Sequence, residues 1–150
     1  MPVMEVIQRL LLAAGLGALV GLEREWSQKS AGLRTNTLIA LGAGMFTMMS
    51  VALAAGPQAD PTRIASQIVT GVGFLGGGAI LRTGMSVRGL TTAATIWVNA
   101  AVGVAAGAGE YRIAALGTLT ALIVLHGLLP LERALERRAE AREMPPPGKH

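Results

Sequence analysis

At 150 residues the chain has the length of one domain, but 51% of it is hydrophobic and its mean hydropathy is +0.50, which excludes an ordinary soluble domain whose surface must carry charge. It contains no cysteine, so disulfides and thiolate metal sites are excluded. Its 13 Lys and Arg outnumber 9 Asp and Glu, yet only one Tyr and two Phe accompany them, a pattern that suits a membrane better than a nucleic acid.

The charges are segregated. Uncharged runs occupy residues 10–22, 35–59, 64–81, 89–109 and 113–131, with nearly every charge between or outside them. These predict an all-α, polytopic membrane protein with five transmembrane helices, the first recruiting residues 3–9 to reach full length. If the N-terminus is outside, the inner segments hold Arg24, Lys29, Arg34, Arg82, Arg88, Arg133, Arg137, Arg138, Arg142 and Lys149, and the outer ones only Arg9, Arg63 and Arg112. The predicted orientation is therefore N-out, C-in.

Residues 1–22 read as a retained helix rather than a signal peptide, because Glu5 interrupts the positive region and no small-residue cleavage site follows. Ala13, Gly17 and Gly21 repeat every four residues and offer a face for a close neighbour. Glu23, Arg24, Glu25 and Trp26 mark the inner end. Residues two apart on a helix diverge, so Glu23 and Glu25 cannot chelate together; they read as interfacial charges balanced by Arg24 and Lys29. The alternative is a buried ion-pair network completed by Arg34 or another helix. An inner loop at 27–34 leads to helix two, with Asn36 near its inner end and Met45, Met48 and Met49 as packing residues. Gly56-Pro57 closes that helix.

The stretch from Asp60 to Gly89 is expected to hold the central helix. Asp60-Pro61 suits a helix start, since Asp accepts from orphan N–H groups and Pro lacks one. Asp60 has a second reading as a cation entrance, which Arg63 weakens by pairing with it. Asp60, Arg63, Gln67 and Thr70 share one face, and a polar stripe in a membrane should meet protein or water. Gly71, Gly73, Gly76, Gly77 and Gly78 then permit very close packing or a break in the helix. The GxGxxG spelled by residues 71–76 has no acid within the next 20 residues, so a nucleotide site is not expected.

Residues 82–88 form a second inner loop. In helix four Thr92, Thr95 and Asn99 share a face; the threonines can bond back along the helix, whereas Asn99 calls for an interhelical hydrogen bond. Gly103 and Gly107 extend a second tight surface. After a turn at 110–112, helix five carries His126, read as a packing residue because no acid lies within a turn of it on the same helix. The tail at 132–150 reads as a charged helix ending in a disordered Pro-rich segment.

The blocks GLEREW (21–26), GLRTNTLIALGA (32–43), DPTRIASQIVTGVGFLGGGAILR (60–82) and VRGLTTAATIWVNAAVGVAAGAG (87–109) together resemble the MgtC/SapB family of bacterial inner-membrane proteins. The resemblance covers about residues 5 to 130. It implies a five-helix protein of the bacterial inner membrane, linked to growth at low magnesium, survival in acid and persistence inside host cells. It places Glu23, Arg24, Glu25, Arg34, Thr35, Asp60, Arg63, Gln67 and Thr92 among the family's characteristic polar positions. It also implies a regulatory role through other membrane proteins such as ATP synthase, with magnesium transport as the older proposal. Similar members carry a soluble C-terminal domain after helix five, where this sequence has residues 132–150.

Two functions follow as expectations. The first is a regulatory or structural module in the lipid bilayer that acts through helix contacts with itself, a homodimer being favoured, or with another membrane protein. The second is a small ion or solute transporter, its path lined by Asp60, Arg63, Gln67, Thr92 and Asn99, with Thr70, Thr95 and the glycine run nearby. Magnesium wants about six oxygens and usually a carboxylate, which the mid-membrane residues do not offer. No cofactor or nucleic-acid partner is implied, and no spacing sets a nucleophile beside a base, so an enzyme is not expected.

Overall fold

The structure, a computed structural model, describes residues 1–54, 60, 62–131 and 134–135. Gly56-Pro57, Pro61 and nearly all of the 132–150 tail lie outside them. Five helices form where the uncharged runs predict them: α1 (Val3–Trp26), α2 (Leu33–Leu53), α3 (Arg63–Gly78), α4 (Leu90–Ala108) and α5 (Tyr111–Gly127). Four segments, Val3–Trp26, Leu33–Leu53, Leu90–Ala108 and Tyr111–Leu131, are long and apolar enough to cross a bilayer. α3 has 16 residues, about 24 Å at 1.5 Å per residue, and is the short member of the set.

Successive helices run up and down, so α1, α3 and α5 finish at the end where α2 and α4 begin. Arg24, Lys29, Arg34, Arg82 and Arg88 gather there, and it is called the basic end. Helices in lipid gain little from hydrophobic burial against one another and associate where backbones can approach closely. The closest approaches lie between α1, α2 and α4. A Cβ added at Gly17 would lie 2.6 Å from Ala40 Cβ, and one at Gly21 would lie 2.7 Å from Leu33 Cα. From α4, a Cβ at Gly103 would lie 2.9 Å from Ala40 Cα, and one at Gly107 would lie 2.8 Å from Gly44 Cα. The small faces expected on helices one and four therefore both close on α2.

This corrects the expectation that α3 is central. α3 buries only Ile68, Val72 and Gly76, whereas α4 buries a column from Thr92 to Gly107. The glycine run is a continuous helix, but among the described residues a Cβ at Gly76 alone would meet a neighbour, Ala93 of α4, and one at Gly71, Gly73, Gly77 or Gly78 would meet none within 4 Å. Close packing within the chain comes from other glycines.

α3 also ends earlier than the uncharged run, and the expected inner loop is a hairpin. Strands β1 (Leu81–Thr83) and β2 (Ser86–Arg88) pair antiparallel, with Leu81 opposite Arg88 and Thr83 opposite Ser86. A two-residue turn joins them, Gly84 taking φ 63° at its first position, where a tight hairpin turn favours glycine. Gly89 then starts α4 at φ 90°, against the Ala79 carbonyl. Gly89→Ala is expected to destabilise the fold by about 2 kcal/mol or more, because it adds both left-handed strain and a backbone clash. Unfolding titration in bicelles measures this, and wild-type stability would show that the α3–hairpin junction can shift freely.

Candidate functional site

The characteristic polar residues separate into a buried seam and an exposed face. The seam begins at the basic end of α1. Glu23 and Arg24 are 5% and 3% exposed, so the interfacial reading of Glu23 is overturned, whereas Glu25 and Lys29 are exposed. Their side chains meet at 3.3 Å. Glu23 also accepts a 2.7 Å hydrogen bond from the Ser27 hydroxyl and lies 3.8 Å from His126 Nδ1 of α5. His126 thus has an acid beside it after all, contributed by a different helix. Among the described residues, Arg24 Nε and one of its terminal amines are buried without a hydrogen-bond partner.

Glu25 has a different task. Its carboxylate reaches over Gly32 and accepts the Leu33 N–H at 3.0 Å, satisfying a donor at the start of α2 that has no partner within the helix. Arg34 and Thr35, one turn into α2, are exposed and do not complete the Glu23–Arg24 pair.

One turn deeper, Asn36 and Asn99 are both 0% exposed. Asn36 donates through Nδ2 to the Ala31 and Gly32 carbonyls, at 2.6 and 3.0 Å. Asn99 donates to Asn36 O at 2.8 Å and to Asn36 Oδ1 at 3.2 Å, which is the interhelical bond its mid-helix position required. Thr92 and Thr95 are buried on the same side of α4, and Thr95 bonds back to the Thr91 carbonyl at 2.8 Å.

The polar face of α3 is placed elsewhere. Arg63, Gln67 and Thr70 are exposed, and Gln67 lines a cleft between α2 and α3. Thr92, Thr95 and Asn99 do not line that cleft, so the polar faces of α3 and α4 bound no common passage. A second, smaller cavity of about 350 Å³ between α3, α4 and the start of α5 is lined almost wholly by apolar side chains such as Val69, Trp97 and Val104. Among the described residues, no three His, Asp or Glu converge.

Asp60 is not itself the N-cap of α3; that position falls to Thr62, two residues later than the sequence suggests, and Asp60 holds Thr62 in place. α3 starts at Arg63 rather than Pro61, and Asp60 Oδ1 accepts both the Thr62 N–H at 2.8 Å and the Thr62 hydroxyl at 2.7 Å. The Ser50 hydroxyl of α2 accepts the next free amide, Ile64 N–H, at 3.2 Å, a partner that no spacing in the sequence announces. The Thr62 hydroxyl, then its N–H, with a smaller contribution from Arg63, hold the Asp60 pKa below the usual carboxylate value. Because the folded pKa is the lower one, this contribution to the helix start is whole above an unfolded pKa of about 3.9 and is lost as pH falls through the folded value. Amide exchange protection at Thr62 is expected to drop at low pH in the wild type and to stay level in Asp60→Asn. Equal profiles would remove Asp60 ionisation from the cap.

The sequence as a whole is similar to known proteins. The model of the MgtC family matches residues 10–134. The protein is 49% identical over 131 residues to Protein MgtC of Salmonella typhimurium strain 14028s, covering 87% of this chain and 54% of that one. It is 50% identical over 127 residues to Protein MgtC of Brucella abortus strain 2308, covering 85% and 52%. An uncharacterized protein of Synechocystis, slr0014, is 49% identical over 127 residues, covering 85% and 53%. The chain thus spans about half the length of the curated relatives it matches. No solved structure matches. With the family pattern covering all five helices and the buried seam, this membrane protein belongs to the MgtC family.

Proposed function

We propose that the chain is a multi-pass module of the bacterial inner membrane, oriented N-out and C-in, that works without catalysis through helix contacts with itself or another membrane protein. A homodimer is the favoured assembly. The observation that carries this reading is the outer face of α3. Ser66, Thr70, Gly73 and Gly77 follow one another at three- and four-residue steps and are exposed, and none of the described residues lies within 4 Å of a Cβ placed at either glycine. Small residues at this spacing let a second helix approach closely and let Ser and Thr hydroxyls bond across the contact. The link to magnesium limitation or acid stress comes from the family resemblance. The transporter reading has weaker support, because the α3 and α4 polar faces bound no shared path and both cavities are mainly apolar.

The test combines assembly with flux in liposomes. Gly73→Leu/Gly77→Leu is expected to abolish cross-linking between copies or to a partner while leaving helicity unchanged, since neither position packs within the chain. Mg²⁺, K⁺ and H⁺ flux is expected to be absent. Unchanged cross-linking would remove the α3 face as the contact, and flux that disappears in folded Asp60→Ala and Arg63→Ala variants would replace the module with a transporter.

A further inference from the structure

The cleft between α2 and α3 encloses about 820 Å³. Its walls are apolar except for Ser30 and Thr35 toward one end and Gln67 toward the other. Along α2 it reaches from Thr35 to Phe46, about 17 Å at 1.5 Å per residue, close to the depth of one leaflet of hydrocarbon, about 15 Å. A helix with side chains is about 10 Å across and would need about 1,300 Å³ over that length, well above the roughly 820 Å³ of the cleft. The space suits a single extended hydrocarbon chain.

Charge at its mouth selects the rest of the occupant. Ser30 and Thr35 lie at the basic end, where exposed Arg34 directly precedes Thr35. The hairpin that follows lining residue Ala79 carries exposed Arg82 and Arg88, and Arg82 donates its Nε to the Gly84 carbonyl at 3.2 Å. The nearby acids are committed: Glu23 pairs with Arg24, and Glu25 accepts the Leu33 N–H. The mouth is therefore cationic above an apolar slot. We infer that the α2–α3 cleft binds an anionic phospholipid, one acyl chain lying between the helices and the headgroup phosphate held by Arg34 and Arg82. Guanidinium groups favour phosphate through paired N–H donors, and the bilayer supplies the ligand at the cleft's open side.

The test uses the whole chain in phosphatidylcholine vesicles, with Trp26→Phe and Trp97→Phe removing the native fluorophores. Leu38→Trp places a reporter in the cleft wall about 5 Å along α2 from Thr35, and Leu119→Trp places a reference on the exposed face of α5. Brominated phosphatidylglycerol is expected to quench the cleft reporter saturably, at a mole fraction several-fold lower than brominated phosphatidylcholine requires, while the reference shows no preference. Arg34→Gln/Arg82→Gln is expected to remove the preference, and Arg34→Lys/Arg82→Lys to retain part of it. Gly71→Leu, at a lining position with room for a side chain, is expected to remove the saturable component. Equal quenching by the two lipids at the cleft, or protection from both because a second copy covers it, would overturn the assignment.

Discussion

Gly103→Val is expected to prevent folding, whereas Gly73→Val leaves the helical fold intact. Both glycines lie in apolar helices, and on propensity alone both substitutions improve the helix. Contact decides the difference. A Cβ at Gly103 would fall on the Ala40 carbonyl and lie 2.9 Å from Ala40 Cα, so the obstruction is backbone, which cannot rotate away as a side chain can. Relief requires α2 and α4 to separate. That would pull the Asn99 donor from Asn36 and open the Gly107–Gly44 approach one turn further on. Overpacking ordinarily costs about 1–3 kcal/mol, more where backbone is the obstruction, and the coupled loss of a buried hydrogen bond adds about 1–3 kcal/mol, a sum whose upper end reaches the roughly 5 kcal/mol of a marginally stable domain. At Gly73 a Cβ meets nothing within 4 Å. Circular dichroism and denaturant titration in bicelles distinguish the two, and equal stability would show that the α2–α4 contact is not the fold's anchor.

The same comparison shows what the sequence could and could not reveal. Five helices followed from five uncharged runs, because a bilayer permits little else to span it. The faces at Ala13, Gly17 and Gly21, and at Gly103 and Gly107, were legible from four-residue spacing, and Asn99 announced its interhelical bond because an amide in mid-membrane has no water to turn to. The choice of α3 as the centre failed for a physical reason. Glycine density says that close approach is allowed, not which helix makes it, and α2 meets two neighbours through Ala40 and Gly44 with far fewer glycines. The hairpin was hidden because strands of three residues are too short to display a two-residue period. His126 was judged by its own helix, while its acid neighbour Glu23 lies 103 positions away, on α1, where one-helix spacing has no reach.

That tertiary contact sets up an unequal pair of mutations. Glu23→Ala is expected to destabilise the protein by about 3–5 kcal/mol, because removing one partner of a buried ion pair strands the other charge. Arg24→Met should cost less. After Arg24 is removed, Glu23 retains the Ser27 hydroxyl at 2.7 Å and His126 at 3.8 Å. After Glu23 is removed, Arg24 keeps none of the acceptors found for it among the described residues, since two of its guanidinium nitrogens already lack one. Glu23→Leu/Arg24→Met should then be more stable than Glu23→Ala alone, because well-packed apolar groups often replace a buried pair at little cost. A double-mutant cycle measured by unfolding in bicelles reads all three values. If Arg24→Met proves the more damaging single change, Arg24 has an acceptor beyond Glu23, and the basic end of the seam is a binding site for an anion rather than a closed ion pair.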